Sequence, residues 1–300
     1  MNTKPSIEER IWAVIAHLST LAMGIGLFLP VFGWSESRRK SNYTSFQCLQ
    51  ALGYQTLGYT VWILATLIVA IVSGVGFLSR IQNIDTLETD LNAWAAGHTA
   101  LTFGLIALYL LPPLIAGIAC ALGRDFRYPF MGSRLARYLG HDPARPGEEK
   151  TWLIEEHEDR WVASMGHFSV IIVIWGLLVP IFSWALQGRR SLLLKFQSIQ
   201  AFAYQAGTTL LYFAGGFFYL FGIVVFVLTI GFEGEISFDS SNVLLGAIVF
   251  LVSLLVTLLI LLVVPLLHIL GQWAGYRTLK GDDYRYPVVG RMVERWIVKK

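Results

Sequence analysis

Charge is scarce along this chain, and cysteine is almost absent. Only 14% of its 300 residues are Asp, Glu, Lys or Arg, where a soluble globular domain carries about a quarter. Two cysteines, Cys48 and Cys120, exclude a disulfide framework and read as buried, inert thiols. The common enzyme signatures are missing: there is no Gly-rich phosphate loop with its Lys, no HExxH, no GxSxG and no paired carboxylate within an apolar run. The chain is therefore expected not to be an enzyme, and no cofactor is expected. Uncharged runs also exclude an intramembrane carboxylate relay or cation site of the usual kind. Nothing supports nucleic-acid binding. A cleavable signal peptide is not expected, because Lys4, Glu8, Glu9 and Arg10 mix signs and no small-residue cleavage pattern follows.

Apolar sequence fills the space that charge leaves. Residues 57–79, 91–123, 196–232 and 240–276 contain no charged residue, and a span needs about 20 apolar residues. Two further uncharged windows, 11–35 and 161–188, are long enough but are interrupted by Gly and Pro. The expected class is an all-α polytopic membrane protein.

The first half of the chain is repeated in the second. Over residues 8–55, an ungapped shift of 150 matches eighteen of 48 positions, where about three are expected by composition. The matches run from Glu8 and Arg10 to Tyr54 and Gln55 and include His17, Ser19, Gly26, Pro30, Phe32, Trp34, Phe46, Gln47, Gln50 and Ala51. Copy one is read as 7–140 and copy two as 158–300, with a polar, solvated linker at 141–157. Each copy has a broken apolar segment ending in Pro-x-Phe-x-Trp, then a basic stretch (Arg38-Arg39-Lys40 or Arg189-Arg190). A long helix follows from Phe46 or Phe196, then an acidic hairpin (Asp85, Glu88, Asp90 or Glu233, Glu235, Asp239). A second long helix carries Pro112-Pro113 or Pro265, and Arg-Tyr-Pro closes the copy.

Counting Lys and Arg decides the topology. If each broken segment bends back without crossing, 22 of the 23 basic residues share one side and only Arg80 lies on the other. If each spans once, the bias vanishes. Positive charge gathers on cytoplasmic loops, so the sequence predicts two parallel repeats, each a re-entrant segment plus two transmembrane helices. Both termini are then cytoplasmic. The bend is expected at Gly24, Gly26 and Pro30.

The strongest polar pattern is Gln47, Gln50, Tyr54 and Gln55, repeated as Gln197, Gln200, Tyr204 and Gln205. At 100° per residue these fall on one helix stripe. Amides in lipid must be paired, so the stripe is either interhelical hydrogen bonding or the lining of a polar path. His17 and His167 form a second duplicated pair. Haem or metal ligation by them is one reading, although no metal-type spacing surrounds them; neutral hydrogen-bonded imidazoles are the other. His98 and His268 read as local hydrogen-bonders. Arg127, Tyr128, Arg285 and Tyr286, following Gly123 and Gly281, read as helix ends with interfacial side chains.

Arg-x-x-Ala-x-x-x-His-x-Ser, Pro-x-Phe-x-Trp, Phe-Gln-x-x-Gln-Ala-x-x-Tyr-Gln and a final Arg-Tyr-Pro resemble the Tic-twenty-like family of small prokaryotic membrane proteins. That family is related to a protein-import component of the chloroplast inner envelope. The resemblance covers each copy once, and implies a helical membrane fold and a non-enzymatic component of a protein-import path. The alternatives are a small-molecule transporter built on parallel repeats with proline-broken helices, and a haem or metal membrane protein using His17 and His167. The expected surroundings are the bilayer of a prokaryotic plasma membrane, with membrane-protein partners or further copies of the chain.

Overall fold

The computed structural model describes residues 4–78, 86–141, 152–233 and 241–298. All regular structure among them is helical: α1 Ile7–Leu18, α2 Phe28–Ser37, α3 Asn42–Gly53, α4 Tyr59–Leu78, α5 Leu87–Ala121, α6 Gly132–Leu139, α7 Glu155–Phe168, α8 Leu178–Gln187, α9 Leu192–Glu233, α10 Ser241–Leu279 and α11 Val289–Val298. A π-turn at Tyr54–Gly58 joins α3 to α4, whereas the corresponding stretch of α9 is uninterrupted.

The broken segments of both copies are re-entrant helical hairpins. Helix α1 starts with a capping box at Ser6 and Glu9, runs inward, and turns through a 3-10 stretch at Ser19–Leu27 into α2. Helix α2 comes back to where α1 began: Trp12 packs on Phe32, and Thr44, at the start of α3, donates to the carbonyl of Glu9. Copy two repeats this with α7, a 3-10 stretch at Ser169–Leu177, and α8. Six helical stretches are apolar and long enough to cross a membrane. The fold-back leaves four that do so: α3–α4, α5, α9 and α10.

The bend sits one residue before its expected glycine. Met23 (φ 53°, ψ −139°) and Val173 (φ 50°, ψ −123°) reverse the chain. Gly26 and Gly176 serve a different need, close approach. A Cβ on either would lie 1.9 or 2.0 Å from the carbonyl oxygen of Ser19 or Ser169. The long helices also begin earlier than expected, at Asn42 and Leu192, because Ser41 and Ser191 cap them with side-chain bonds to the amides of Thr44 and Leu194.

Helices α5 and α10 continue without a break through their prolines, so the expectation of proline-broken helices does not hold. Pro113 has no N–H for the carbonyl of Tyr109, four residues back. The Tyr54 hydroxyl donates to that carbonyl at 2.7 Å instead.

The two copies are parallel. Their hairpin tips meet, with Gly24 against Trp175, and their bases meet, with Arg38 against Gln187. The apolar core gathers in the half of the molecule near these bases, around Trp34, Phe46, Leu49, Leu52, Leu139, Met165 and Leu194. No residue of α4 is buried, as suits a helix facing lipid. Of the acidic hairpin residues, Asp85, Glu235 and Asp239 lie outside the described residues, as does most of the linker.

Candidate functional site: two histidine–glutamine–tyrosine braces

Each copy holds its re-entrant hairpin with one buried polar assembly. His17 is wholly buried on α1. Its Nε2 lies 2.9 Å from Gln47 Oε1 on α3, and its Nδ1 lies 3.0 Å from the Tyr128 hydroxyl beyond α5. An amide oxygen only accepts, so Nε2 carries a proton; the ring is wholly buried with no carboxylate bonded to it, which favours the neutral form, with Nδ1 accepting from the Tyr128 hydroxyl. The same Gln47 Oε1 also accepts from Gln50 Nε2 at 3.2 Å. Gln47 Nε2 donates to Asp125 Oδ1 and the carbonyl of Phe126 at 2.9 and 3.1 Å. Gln50 Oε1 accepts from the amide of Tyr128 at 2.9 Å. Gln55 Nε2 donates to the carbonyl of Ala16 and to Ser19 Oγ at 3.1 and 2.8 Å.

Copy two reproduces this atom for atom. His167 bridges Gln197 Oε1 and the Tyr286 hydroxyl at 3.0 and 3.1 Å. Gln197 Nε2 reaches Asp283 Oδ1 and the carbonyl of Tyr284, both at 3.2 Å. Gln200 Nε2 donates to Gln197 Oε1 at 2.9 Å, and Gln200 Oε1 accepts from the amide of Tyr286 at 3.0 Å. Gln205 donates to the carbonyl of Gly166 and to Ser169 Oγ. Tyr204 donates to the carbonyl of Leu267 at 2.7 Å and stacks on Tyr286 at 3.9 Å.

The stripe is thus taken up in tying the hairpin to α3 or α9 and to the Arg-Tyr-Pro turn. Interhelical hydrogen bonds of this kind contribute roughly 0.5–2 kcal/mol each. Both nitrogens of each imidazole are engaged, and among the described residues no group of three His, Cys, Asp or Glu side chains is arranged to hold a metal. Haem or metal ligation would have to break a brace. His98 and His268 bond Ser73 and Tyr212 locally, and both cysteines are buried.

The Arg-Tyr-Pro tyrosines are not interfacial. Tyr128 and Tyr286 are 3% and 2% exposed, drawn inward by their bonds to His17 and His167. Arg127 and Arg285 remain outside, beside Asp125 and Asp283. Gly123 (φ 73°) and Gly281 (φ 102°) end the preceding helices in the left-handed turn.

Two pairs of partners lie outside the ungapped comparison of residues 8–55: Asp125 with Asp283, and Gly132 with Gly290. A Cβ on either glycine would lie 2.4 or 2.7 Å from the oxygen of Gln50 or Gln200. Here the offset is 158, not 150, because α9 and α10 are longer than α3–α4 and α5; aligning on Arg-Tyr-Pro recovers both pairs.

The contact between copies centres on Arg38. Its guanidinium lies 2.7 Å from Asp159 and 3.2 Å from Glu155, and its Nε lies 3.4 Å from Glu158. Trp34 Nε1 donates to Glu158 Oε1 at 3.0 Å. Glu158, beside the segment read as a solvated linker, is 4% exposed and packs against buried Arg38.

Parallel re-entrant repeats, four spanning helices and neutral polar braces define an integral membrane protein of the polytopic α-helical class. The sequence model of the magnetosome magnetite crystal formation family, MamF/MmsF, matches residues 8–135 and again 158–293. The chain belongs to that family, which is here written twice in one polypeptide. This overturns the Tic-twenty-like resemblance, and with it the import-path reading. No curated protein and no solved structure matches the chain.

Proposed function

We propose that the chain is a non-enzymatic structural component of the membrane around a growing magnetite crystal. The observation that carries this reading is the family match over both repeats. The geometry supports it: the duplicated polar residues are used to hold helices together, and the long helices carry no charge at depth. We further propose that the base of the molecule, where Arg39, Lys40, Arg189 and Arg190 gather, faces the cytoplasm. The α4–α5 and α9–α10 connections then face the compartment in which mineral grows, with exposed Glu88 at the head of α5.

Deleting the gene from a magnetite-forming cell and restoring it tests the proposal. The expected result is a change in crystal size or shape on electron micrographs that full-length protein reverses. Crystals unchanged in size, shape and number would refute it.

A further inference from the structure

Between α4, α5 and the Arg-Tyr-Pro turn of copy one lies an apolar cleft of about 420 Å³, within the range of ligand pockets, roughly 300–1,000 Å³. Tyr54, Trp62 and Tyr109 stand along its walls, and Tyr128 and Met131 form its base end. It opens to lipid: Val61 and Leu108, on its rim, are each 67% exposed. Part of one wall is the π-turn at Tyr54–Gly58, and such turns are frequent at functional sites. Gly58, the last residue of that turn, leaves room there. A Cβ on it would reach the Tyr109 and Tyr54 rings at 3.4 and 3.7 Å, an ordinary contact. The Trp62 indole N–H is shielded from solvent and meets no acceptor among the described residues.

Copy two keeps the framework and changes the lining. Tyr204 donates to the carbonyl of Leu267 as Tyr54 donates to that of Tyr109, so Leu267 stands in the place of Tyr109. Helix α9 has no π-turn. Thr208 stands 150 residues on from Gly58; it is buried, and its hydroxyl donates to the carbonyl of Tyr204 at 3.1 Å. Tyr212 stands 150 residues on from Trp62, and its hydroxyl pairs with His268 at 2.6 Å. Charge at the base end diverges too. In copy one, Arg127 is held loosely, by two contacts of 3.4 Å to Asp125, and Arg134 is exposed. In copy two, Asp283 and Glu294 both engage Arg285, and Met292 replaces Arg134.

An occupant that enters from the bilayer is a lipid, and three features define which one. The apolar walls accept a chain, the open N–H calls for an acceptor, and two guanidiniums call for an anion. We propose that copy one binds a single anionic phospholipid from the leaflet on the side of the bases. One acyl chain lies along Tyr54, Trp62 and Tyr109. A glycerol ester carbonyl accepts from Trp62, and the phosphate meets Arg127 and Arg134. Helix side chains lean toward the N-terminus, which in α4 is the base side, so the indole leans toward the level of the glycerol. Copy two, with its hydroxyls paired internally and its arginine engaged, lacks this site.

The test uses full-length protein in phosphatidylcholine liposomes that contain a trace of phosphatidylglycerol with a diazirine in one acyl chain. After illumination, labelled peptides are located by mass spectrometry. Label should concentrate on residues 53–65 and 105–131, several-fold above residues 203–215 and 263–289. Gly58→Leu should fill the cleft and bring copy one down to the level of copy two, while an unchanged unfolding temperature confirms the fold. Gly74→Leu, also on α4 but with nothing within 4 Å, should leave the label unchanged. Arg127→Gln with Arg134→Gln should lower labelling by the anionic probe several-fold. Equal labelling of the two copies would overturn the proposal, since the lipid would then be ordinary bilayer contact. So would label indifferent to Gly58→Leu, or a phosphatidylcholine probe that labels copy one as strongly as the anionic one.

Discussion

An imidazole buried with both nitrogens engaged cannot bind a metal without first losing a partner, and its value is in what it holds together. His17 and His167 join three chain segments distant in sequence, and every duplicated glutamine donates into the same assembly. Tyr54 and Tyr204 look equivalent but do unequal work. Tyr54 satisfies the carbonyl that Pro113 leaves without an N–H, whereas in copy two Gly271 occupies the matching position and retains its own. Tyr54→Phe should therefore leave a buried acceptor unpaired and cost about 1–3 kcal/mol, with Tyr204→Phe costing clearly less. Thermal unfolding of the two variants in detergent checks the order. At this scale the sequence was informative about the stripe, because a Gln or His kept twice within apolar sequence has to be paired. It was less so about the partners Asp125, Asp283, Gly132 and Gly290, which follow helices of different length in the two copies. Tyr128 and Tyr286 were misplaced at the interface because their position beyond a helix end cannot reveal the imidazole that draws them inward.

The element that sets this fold apart is the re-entrant hairpin, and a single atom of space limits its tip. Gly26→Ala or Gly176→Ala would place a methyl group within van der Waals distance of the Ser19 or Ser169 carbonyl. Either should lower the unfolding temperature sharply, in the upper range for point substitutions, about 3 kcal/mol or more. Gly74→Ala on lipid-facing α4 meets nothing within 4 Å, and should be neutral or stabilise by up to about 1 kcal/mol. Equal effects at the two kinds of site would show that the tips are open. The hairpin's existence was legible in the Gly and Pro interruptions and in the charge count. The turning residues were not, because Met23 and Val173 adopt positive φ where sequence preference favours glycine; the packed tip imposes that geometry. The unbroken course of α5 was hidden for a related reason: the hydroxyl that stands in for the missing N–H comes from another helix.

Across the whole molecule, one guanidinium binds the repeats. Arg38 is buried among Glu155, Glu158 and Asp159, and removing one member of a buried ion cluster costs about 3–5 kcal/mol because the remaining charges lose compensation. Arg38→Ala should loosen the contact between repeats and lower the unfolding temperature in detergent, while each brace persists. An unchanged unfolding temperature would contradict that role. Overall architecture was legible at this scale because charge distribution and duplication act on the whole chain at once. The biological process was not, because the motifs that carried the resemblance are the ones that build the braces, and a brace records how helices are held rather than what the membrane encloses.

Both copies fold back before spanning, so that their bases share one face. In a Cys48→Ser, Cys120→Ser background, single cysteines at Lys40, Arg190, Thr89 and Ser241 can be labelled with an impermeant thiol reagent on sealed vesicles. Lys40→Cys and Arg190→Cys should react from the same side, and Thr89→Cys and Ser241→Cys only from the other. If Lys40→Cys and Arg190→Cys react from opposite sides, each broken segment crosses the membrane, and the parallel re-entrant account is wrong.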